Sequence, residues 1–246
     1  MENAARITLV GAAGRMGQAT KTAIGAEPGW EIAAECEQGD AISRCLADCD
    51  VVIDFSSPDA TKSNCAACVE FRKPLVIGTT GHSLEQLSAI EGAAKSVAIL
   101  LAANFSVGVN ALFWLTRKAA ELLGESFDLE IVETHHRLKK DAPSGTAKRL
   151  AEVLCEARGL RYGEDITHGR EGLAGERPRK EIGVHAIRAG DVVGDHTVIF
   201  ASSGERLELT HKASSRETFA LGALRAARWI IGKPAGLYTM EDVLGL

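Results

Sequence analysis

The sequence has no apolar run long enough to cross a bilayer. Its longest, residues 97–103, falls far short of the roughly 20 residues that a spanning helix needs, so no membrane partner is expected. It opens Met1-Glu2-Asn3 with no basic segment leading into an apolar one. Nothing there marks it for secretion, and a cytoplasmic protein is expected. Cysteine is scarce, six in 246 residues, and a disulfide framework belongs to short secreted chains. Cys45/Cys49 and Cys65/Cys68 fall in segments expected to be helical, whereas structural zinc sites usually set their pairs on turns. These thiols are read as space-filling, and no metal is expected. Positive charge is also short: 28 Lys and Arg stand against 33 Asp and Glu, a net of -5. Nucleic acid is therefore not an expected partner, because phosphate binding needs a basic face. Internal repeats and low-complexity tracts are missing as well.

What is present is the balance of a soluble globular protein, 46% hydrophobic and 25% charged. The length suffices for a substantial core in one large domain or two small ones. Short apolar runs at 6–10, 31–35, 51–55, 75–77 and 97–101 predict strands, and 16–25, 59–71 and 84–95 carry helical apolar spacing. Such strands separated by helices predict a parallel sheet covered on both faces, the doubly wound α/β arrangement. After Asn104 the pattern changes. A long helix over 107–123, a strand over 129–133 and a helix over 145–158 precede a glycine-rich charged stretch at 159–179, read as an exposed functional loop. Residues 196–202 and 206–212 alternate around Ser203-Gly204-Glu205, which predicts an antiparallel hairpin. A last helix is expected over 217–231.

Gly11, Ala12, Ala13, Gly14, Arg15 and Met16 join the first strand to the first helix, with Gly17 just beyond. Glycines there let the backbone turn sharply and approach a pyrophosphate, which the free amides of a helix start can hold. The spacing Gly-x-x-Gly-x-x-Gly is a weak signal alone. It gains weight because strand, loop and helix coincide with Glu35 at the end of the next strand, where an acid is expected to bind ribose hydroxyls. A carboxylate repels a 2′-phosphate, and Cys36 and Glu37 add no cation, so NADH is the expected cofactor. Arg15 keeps NADPH open.

The densest chemistry lies in 133–152, ETHHRLKKDAPSGTAKRLAE. Ser144 suits an N-cap, Pro143 restricts the approach to the helix, and Gly145 lets a ligand come close to the backbone. With Thr146 they open a helix whose unpaired amides suit a carboxylate. Arg137, Lys139, Lys140, Lys148 and Arg149 can serve a second one. This combination points to a small anionic substrate, a dicarboxylate. His135 and His136, neighbours at a strand end, should point to opposite sides, so one can supply a proton while the other binds substrate charge. Two readings stand at this point: that one, and a pair of exposed histidines beside a solvated basic run.

His135-His136-Arg137-Leu138-Lys139 followed by Lys140-Asp141-Ala142-Pro143-Ser144-Gly145-Thr146 closely resembles the signature of the dihydrodipicolinate reductase family of diaminopimelate and lysine biosynthesis. GAAGRMG at 11–17, VIDFSSP at 52–58, VIGTTG at 76–81, AANFSVGVN at 102–110, IRAGDVVGDH at 187–196 and HKASSR at 211–216 match it too. The resemblance implies a Rossmann-like, doubly wound parallel-sheet domain at 1–105 and 217–246, which binds the dinucleotide. It implies an α+β substrate-binding and oligomerisation domain at 106–216, with an open mixed sheet. The implied activity is NAD(P)H-dependent reduction of 4-hydroxy-tetrahydrodipicolinate (dihydrodipicolinate) to tetrahydrodipicolinate, by a homotetramer built through that sheet. In enzymes of this kind His135 would be the proton donor and Lys139 a second catalytic group that helps hold the substrate. His136, Ser144, Gly145 and Thr146 would bind its carboxylates. Gly11 to Met16, Glu35, Gly78, Thr79, Thr80, Ala102, Ala103, Asn104 and Phe105 would contact the cofactor. Where Cys36 stands, some relatives carry an arginine that reads the NADP 2′-phosphate, and its absence again points to NADH.

Overall fold

The computed structural model describes residues 4–37 and 39–246. The chain forms two compact units, one running up to Val107 and resuming over Arg216–Leu246, the other Gly108–Ser215. In chain order, β1 (Ala5–Val10), α1 (Arg15–Ala26), β2 (Trp30–Cys36), β3 (Val51–Asp54), α2 (Thr61–Glu70), β4 (Leu75–Ile77), α3 (Leu84–Ala94) and β5 (Ala98–Leu101) come first. Next follow α4 (Val107–Leu123), β6 (Asp128–His135), α5 (Gly145–Arg158), β7 (Ile166–His168), β8 (Ile182–Arg188), β9 (Gly194–Ser202) and β10 (Glu205–Ala213). The chain closes with α6 (Glu217–Ile230), β11 (Gly236–Tyr238) and α7 (Met240–Leu244).

The first unit holds a six-stranded sheet in the order β11-β5-β4-β3-β1-β2, parallel throughout. Alternate strand residues enter two apolar layers, as a pleat with a period of two requires. Ile7, Leu9, Val51, Ile53 and Leu100 pack with Ala223, Ala227 and Ile230 of α6, while Val52, Leu75, Ile77 and Ile99 pack with Cys65, Cys68 and Ile90 of α2 and α3. Truncating a residue such as Ile53 to alanine should cost about 2–5 kcal/mol. The winding reverses between β1 and β3, which leaves a crevice at the carboxyl ends of those strands.

The second unit holds a mixed five-stranded sheet in the order β10-β9-β6-β8-β7, with β6 antiparallel to β9 and parallel to β8. One face is apolar. Leu129, Ile131, Val184, Val198 and Phe200 pack under Leu112 and Ala120 of α4 and Leu150 and Leu154 of α5. On the opposite face Glu130 accepts from Arg170, Arg177 and His185. Burial alone would push the Glu130 carboxyl up, but those bonds outweigh it and hold it at about 2.

The predicted helices over 107–123 and 145–158 coincide with α4 and α5, and the hairpin is β9–β10. Other segments differ. The stretch 159–179 contains β7, and Arg170 and Arg177 tie it back to Glu130, so it is anchored rather than loose. Cys45 ends a short 3-10 helix, Ile42–Cys45, and Cys49 lies beyond it, so that pair is not on an α-helix; Cys65 and Cys68 are on α2. Burial pushes the Cys36 thiol up to about 12 and Cys65 to about 11, and raises Cys49 and Cys68 as well, which makes these four poor nucleophiles. Among the described residues no helix is long and apolar enough to cross a membrane.

Candidate active site

At the crevice of the first unit, Gly11, Gly14, Cys36, Glu37, Phe55 and Ser56 help to line a cavity of about 410 Å³. Gly11 has φ +77, and a Cβ there would stand 2.7 Å from the Phe55 carbonyl oxygen, so only glycine fits. The Ala13 N–H donates to the Glu37 carboxylate at 2.5 Å. That amide therefore already faces a negative oxygen, which is what a pyrophosphate would offer it. Cavity, glycine turn and amide together fit a dinucleotide.

The expected cofactor residues fall into three groups. Gly11 and Gly14 line the cavity, and Ala13 supplies its amide. Ala12 and Met16 pack into the core, Ala102 and Phe105 join the same layer, and Arg15 begins α1. Gly78 lies against the rings of Phe55 and Phe105, which meet edge to face at 5.8 Å; Thr79 is buried, and Thr80 and Ala103 are exposed. The Asn104 side chain accepts from the Ser106 N–H at 2.8 Å. Glu35 is not in the cavity wall, and its carboxylate pairs with Lys21 at 2.9 Å. The acids in the wall are Glu37 and Asp40.

Beneath these loops Asp54, at the end of β3, is fully buried. It accepts from the Ser56 amide at 2.8 Å and hydroxyl at 2.6 Å, from Thr79 at 3.2 Å and from Asn64 at 2.9 Å. One carboxylate thus fixes the turn after β3 and the turn after β4.

In the second unit the register of three strands builds the site. Glu133 lies opposite His196 of β9, and His135 opposite Arg188 of β8. Glu133 is fully buried. Its Oε2 bonds His135 Nδ1 and accepts from Arg188 at 3.0 Å; its Oε1 accepts from Arg188 at 3.0 Å and from the Ser144 N–H at 3.1 Å. Burial alone would raise this carboxyl, but the bonds from His135, Arg188 and Ser144 hold it at about 2. Ser144 caps α5 by accepting from the Ala147 N–H at 3.2 Å, and its hydroxyl meets His196 Nε2 at 3.1 Å. The rings of His135 and His196 stand edge to face at 5.1 Å. Burial, then the charge of His135, pull His196 down to about 4, so it is neutral near pH 7.

His135 ends β6 and is buried, whereas His136 lies in the turn beyond it, half-buried. The His136 carbonyl accepts from the Lys139 N–H, and Lys139 Nζ donates to Asp141 at 2.9 Å. That bond, more than any other influence, holds the Asp141 carboxyl down. A Cβ added at Gly145 would meet nothing within 4 Å, so the chain itself has no need of glycine there. Thr146 follows in the first turn of α5, half-buried. Glu133, Arg188 and His196 were not among the sequence expectations. The spacing of Glu133 two residues before His135, which puts both on one strand face, was the available signal.

The family model described as Dihydrodipicolinate reductase, N-terminus, matches residues 5–105, and Dihydrodipicolinate reductase, C-terminus, matches 108–244. A 4-hydroxy-tetrahydrodipicolinate reductase of Akkermansia muciniphila is 58% identical over 98% of each chain. One from Hahella chejuensis is 47% identical over 98% of this chain and 99% of its own. A dipicolinate-bound dihydrodipicolinate reductase from Paenisporosarcina sp. TG-14 superposes with a TM-score of 0.78 at 22% identity, over 97% of this chain and 99% of that one. With both halves of its length matched and relatives of this identity, the chain belongs to the dihydrodipicolinate reductase family.

Proposed function

We propose that His135 donates the proton in this chain's reaction, that Lys139 assists, and that His136, Lys139 and the Ser144–Thr146 helix start hold a small cyclic dicarboxylate. The activity is that of the family, NAD(P)H-dependent reduction of 4-hydroxy-tetrahydrodipicolinate to tetrahydrodipicolinate in the diaminopimelate route to lysine. The nicotinamide cofactor supplies the hydride. As negative charge develops on the ring, protonated His135 gives up the proton on Nε2 and keeps the one on Nδ1 for Glu133. Lys139 and the amides at the start of α5 stabilise the carboxylates and that charge. The observation that carries this reading is the commitment of His135 Nδ1 to a buried carboxylate, which leaves Nε2 as the nitrogen for the substrate.

The first unit is read as the dinucleotide-binding domain, with the cofactor contacts at Gly11 to Met16, Gly78 to Thr80 and Ala102 to Phe105. The second is read as the substrate-binding domain, joining four copies through its mixed sheet. We read the protein as cytoplasmic. NADH is the preferred cofactor, because Glu37 and Asp40 stand in the cavity wall and Glu35 close by in sequence, where a 2′-phosphate would meet negative charge. The test couples the protein to dihydrodipicolinate synthase fed with pyruvate and aspartate semialdehyde, and follows NADH and NADPH oxidation separately. Synthase-dependent oxidation, faster with NADH and abolished in His135→Gln, is expected. Full activity in His135→Gln would refute the proton donor, and faster oxidation of NADPH would refute the cofactor preference.

A further inference from the structure

We propose that Glu133 and Arg188 are positioning residues for the reduction. Together they hold His135 with Nδ1–H bonded and Nε2 presented for proton donation, and they tie that geometry to the carboxylate-binding start of α5. The inference rests on the reading of His135 as the proton donor.

The bonding of Glu133 leaves little freedom. Four donors meet its two oxygens, and they come from three segments: β6 through His135, β8 through Arg188, and the N-cap of α5 through Ser144. A guanidinium that bonds both oxygens of a carboxylate fixes its plane as well as its position. Arg188 also donates to the Asp141 carbonyl at 2.7 Å, so the segment that carries Lys139 hangs on the same side chain. A shift of Glu133 would therefore move the proton donor, the helix start and the approach to Lys139 together.

The same bonds select a tautomer. A carboxylate can only accept, so neutral His135 keeps its proton on Nδ1, and the proton gained on charging goes to Nε2. Nε2 stands beside Gly194, where an added Cβ would lie 3.0 Å from it. Glycine there leaves that edge of the ring uncovered by a side chain.

Charge completes the argument. With His135 neutral, Glu133 and Arg188 cancel; with His135 protonated, the cluster carries one positive charge. The guanidinium thus balances the buried carboxylate while both hold the ring in place. The other titratable groups of the cluster are His196 on β9, His211 on β10, and Lys139 with Asp141 after β6.

The experiment is kcat/KM against pH in the synthase-coupled assay for the wild-type chain, Glu133→Gln, Glu133→Asp and Arg188→Lys. Glu133→Gln keeps size and an acceptor oxygen but removes the charge, so the high-pH limb should move down by about one unit or more. KM for the acid should change less, by under about threefold. Glu133→Asp keeps the charge but draws the oxygens back, and Arg188→Lys keeps the charge but loses the fork. Both should leave the limb in place and lower kcat by about tenfold or more. An unmoved limb in Glu133→Gln, or unchanged kcat in the two charge-conserving variants, would overturn the proposal. Full activity in His135→Gln would instead remove the reading on which it rests. Should the variants not fold, the wild-type protein decides. Nitrogen-15 spectra of neutral His135 must place the proton on Nδ1, and a proton on Nε2 would overturn the assignment.

Discussion

Among the described residues, each unit buries one carboxylate completely at the end of a central strand, and the two are solvated in opposite ways. Asp54 is held by hydroxyls and amides, from Ser56, Thr79 and Asn64. Glu133 is held by a guanidinium, an imidazole and one amide. Burying a charge is costly unless it is fully bonded, and both are. The neutral set suits a fixed frame, because none of its donors titrates near neutrality. The charged set places an imidazole, the one ring in either set able to carry a proton on either nitrogen, against the carboxylate. On the reading of His135 as the proton donor, Glu133 is coupled to the reaction, and Asp54 to the shape of two turns.

Deleting the charges should separate them most sharply. Glu133→Leu leaves Arg188 facing an apolar side chain and should destabilise the second unit by about 3–5 kcal/mol. Asp54→Asn keeps much of its bonding and should cost about 1–3 kcal/mol, weakening cofactor binding while leaving the pH profile of the reaction in place. Hydrogen exchange on β6 and on β3 measures each unit separately. Equal losses in both would erase the distinction.

Acid should reach the second unit first. His196 is neutral in the fold until about pH 4 but charges near 6.5 when unfolded. The unfolded chain binds more protons between those values, so stability is intact above about 6.5 and declines as pH falls towards 4, by on the order of 3 kcal/mol. Glu133 and Glu130, each held at about 2 against an ordinary 4.5, add a second loss that begins below about pH 4.5. Protection of β6 and β9 amides that fell no faster than that of β3 between pH 7 and 5 would contradict this order. The smallest expected effects are at two glycines. Gly145→Ala should leave folding unchanged, since the space is open, and raise KM for the acid; Gly194→Ala should lower kcat by crowding His135 Nε2.

Much of this was legible in the sequence because it depends on neighbours along the chain. The apolar strands, α4, α5 and the cap at Ser144 follow from local periodicity and local hydrogen bonding. The members of the Glu133 cluster do not. Arg188 lies 55 residues from Glu133, and His196 lies 52 from Ser144, so strand register alone brings them together. β11, three residues beginning with glycine, is a strand only because β5 offers it an edge. The sequence offers Glu35, at the end of β2, as the acid for ribose hydroxyls, while the wall of the cavity carries Glu37 and Asp40. The pairing of β1 with β2 slips between Ile7 and Thr8, and an extra residue reverses which side chains face which side.

The role of His135 is decided by kcat/KM against pH for the wild-type chain and His135→Gln, with NADH binding checked in both. If His135 is the proton donor, the wild-type rate falls at high pH as that proton is lost. In His135→Gln the limb disappears and the rate drops by about 10²–10⁴-fold, with NADH still bound. A limb that persists unchanged in His135→Gln would mean that another group supplies the proton.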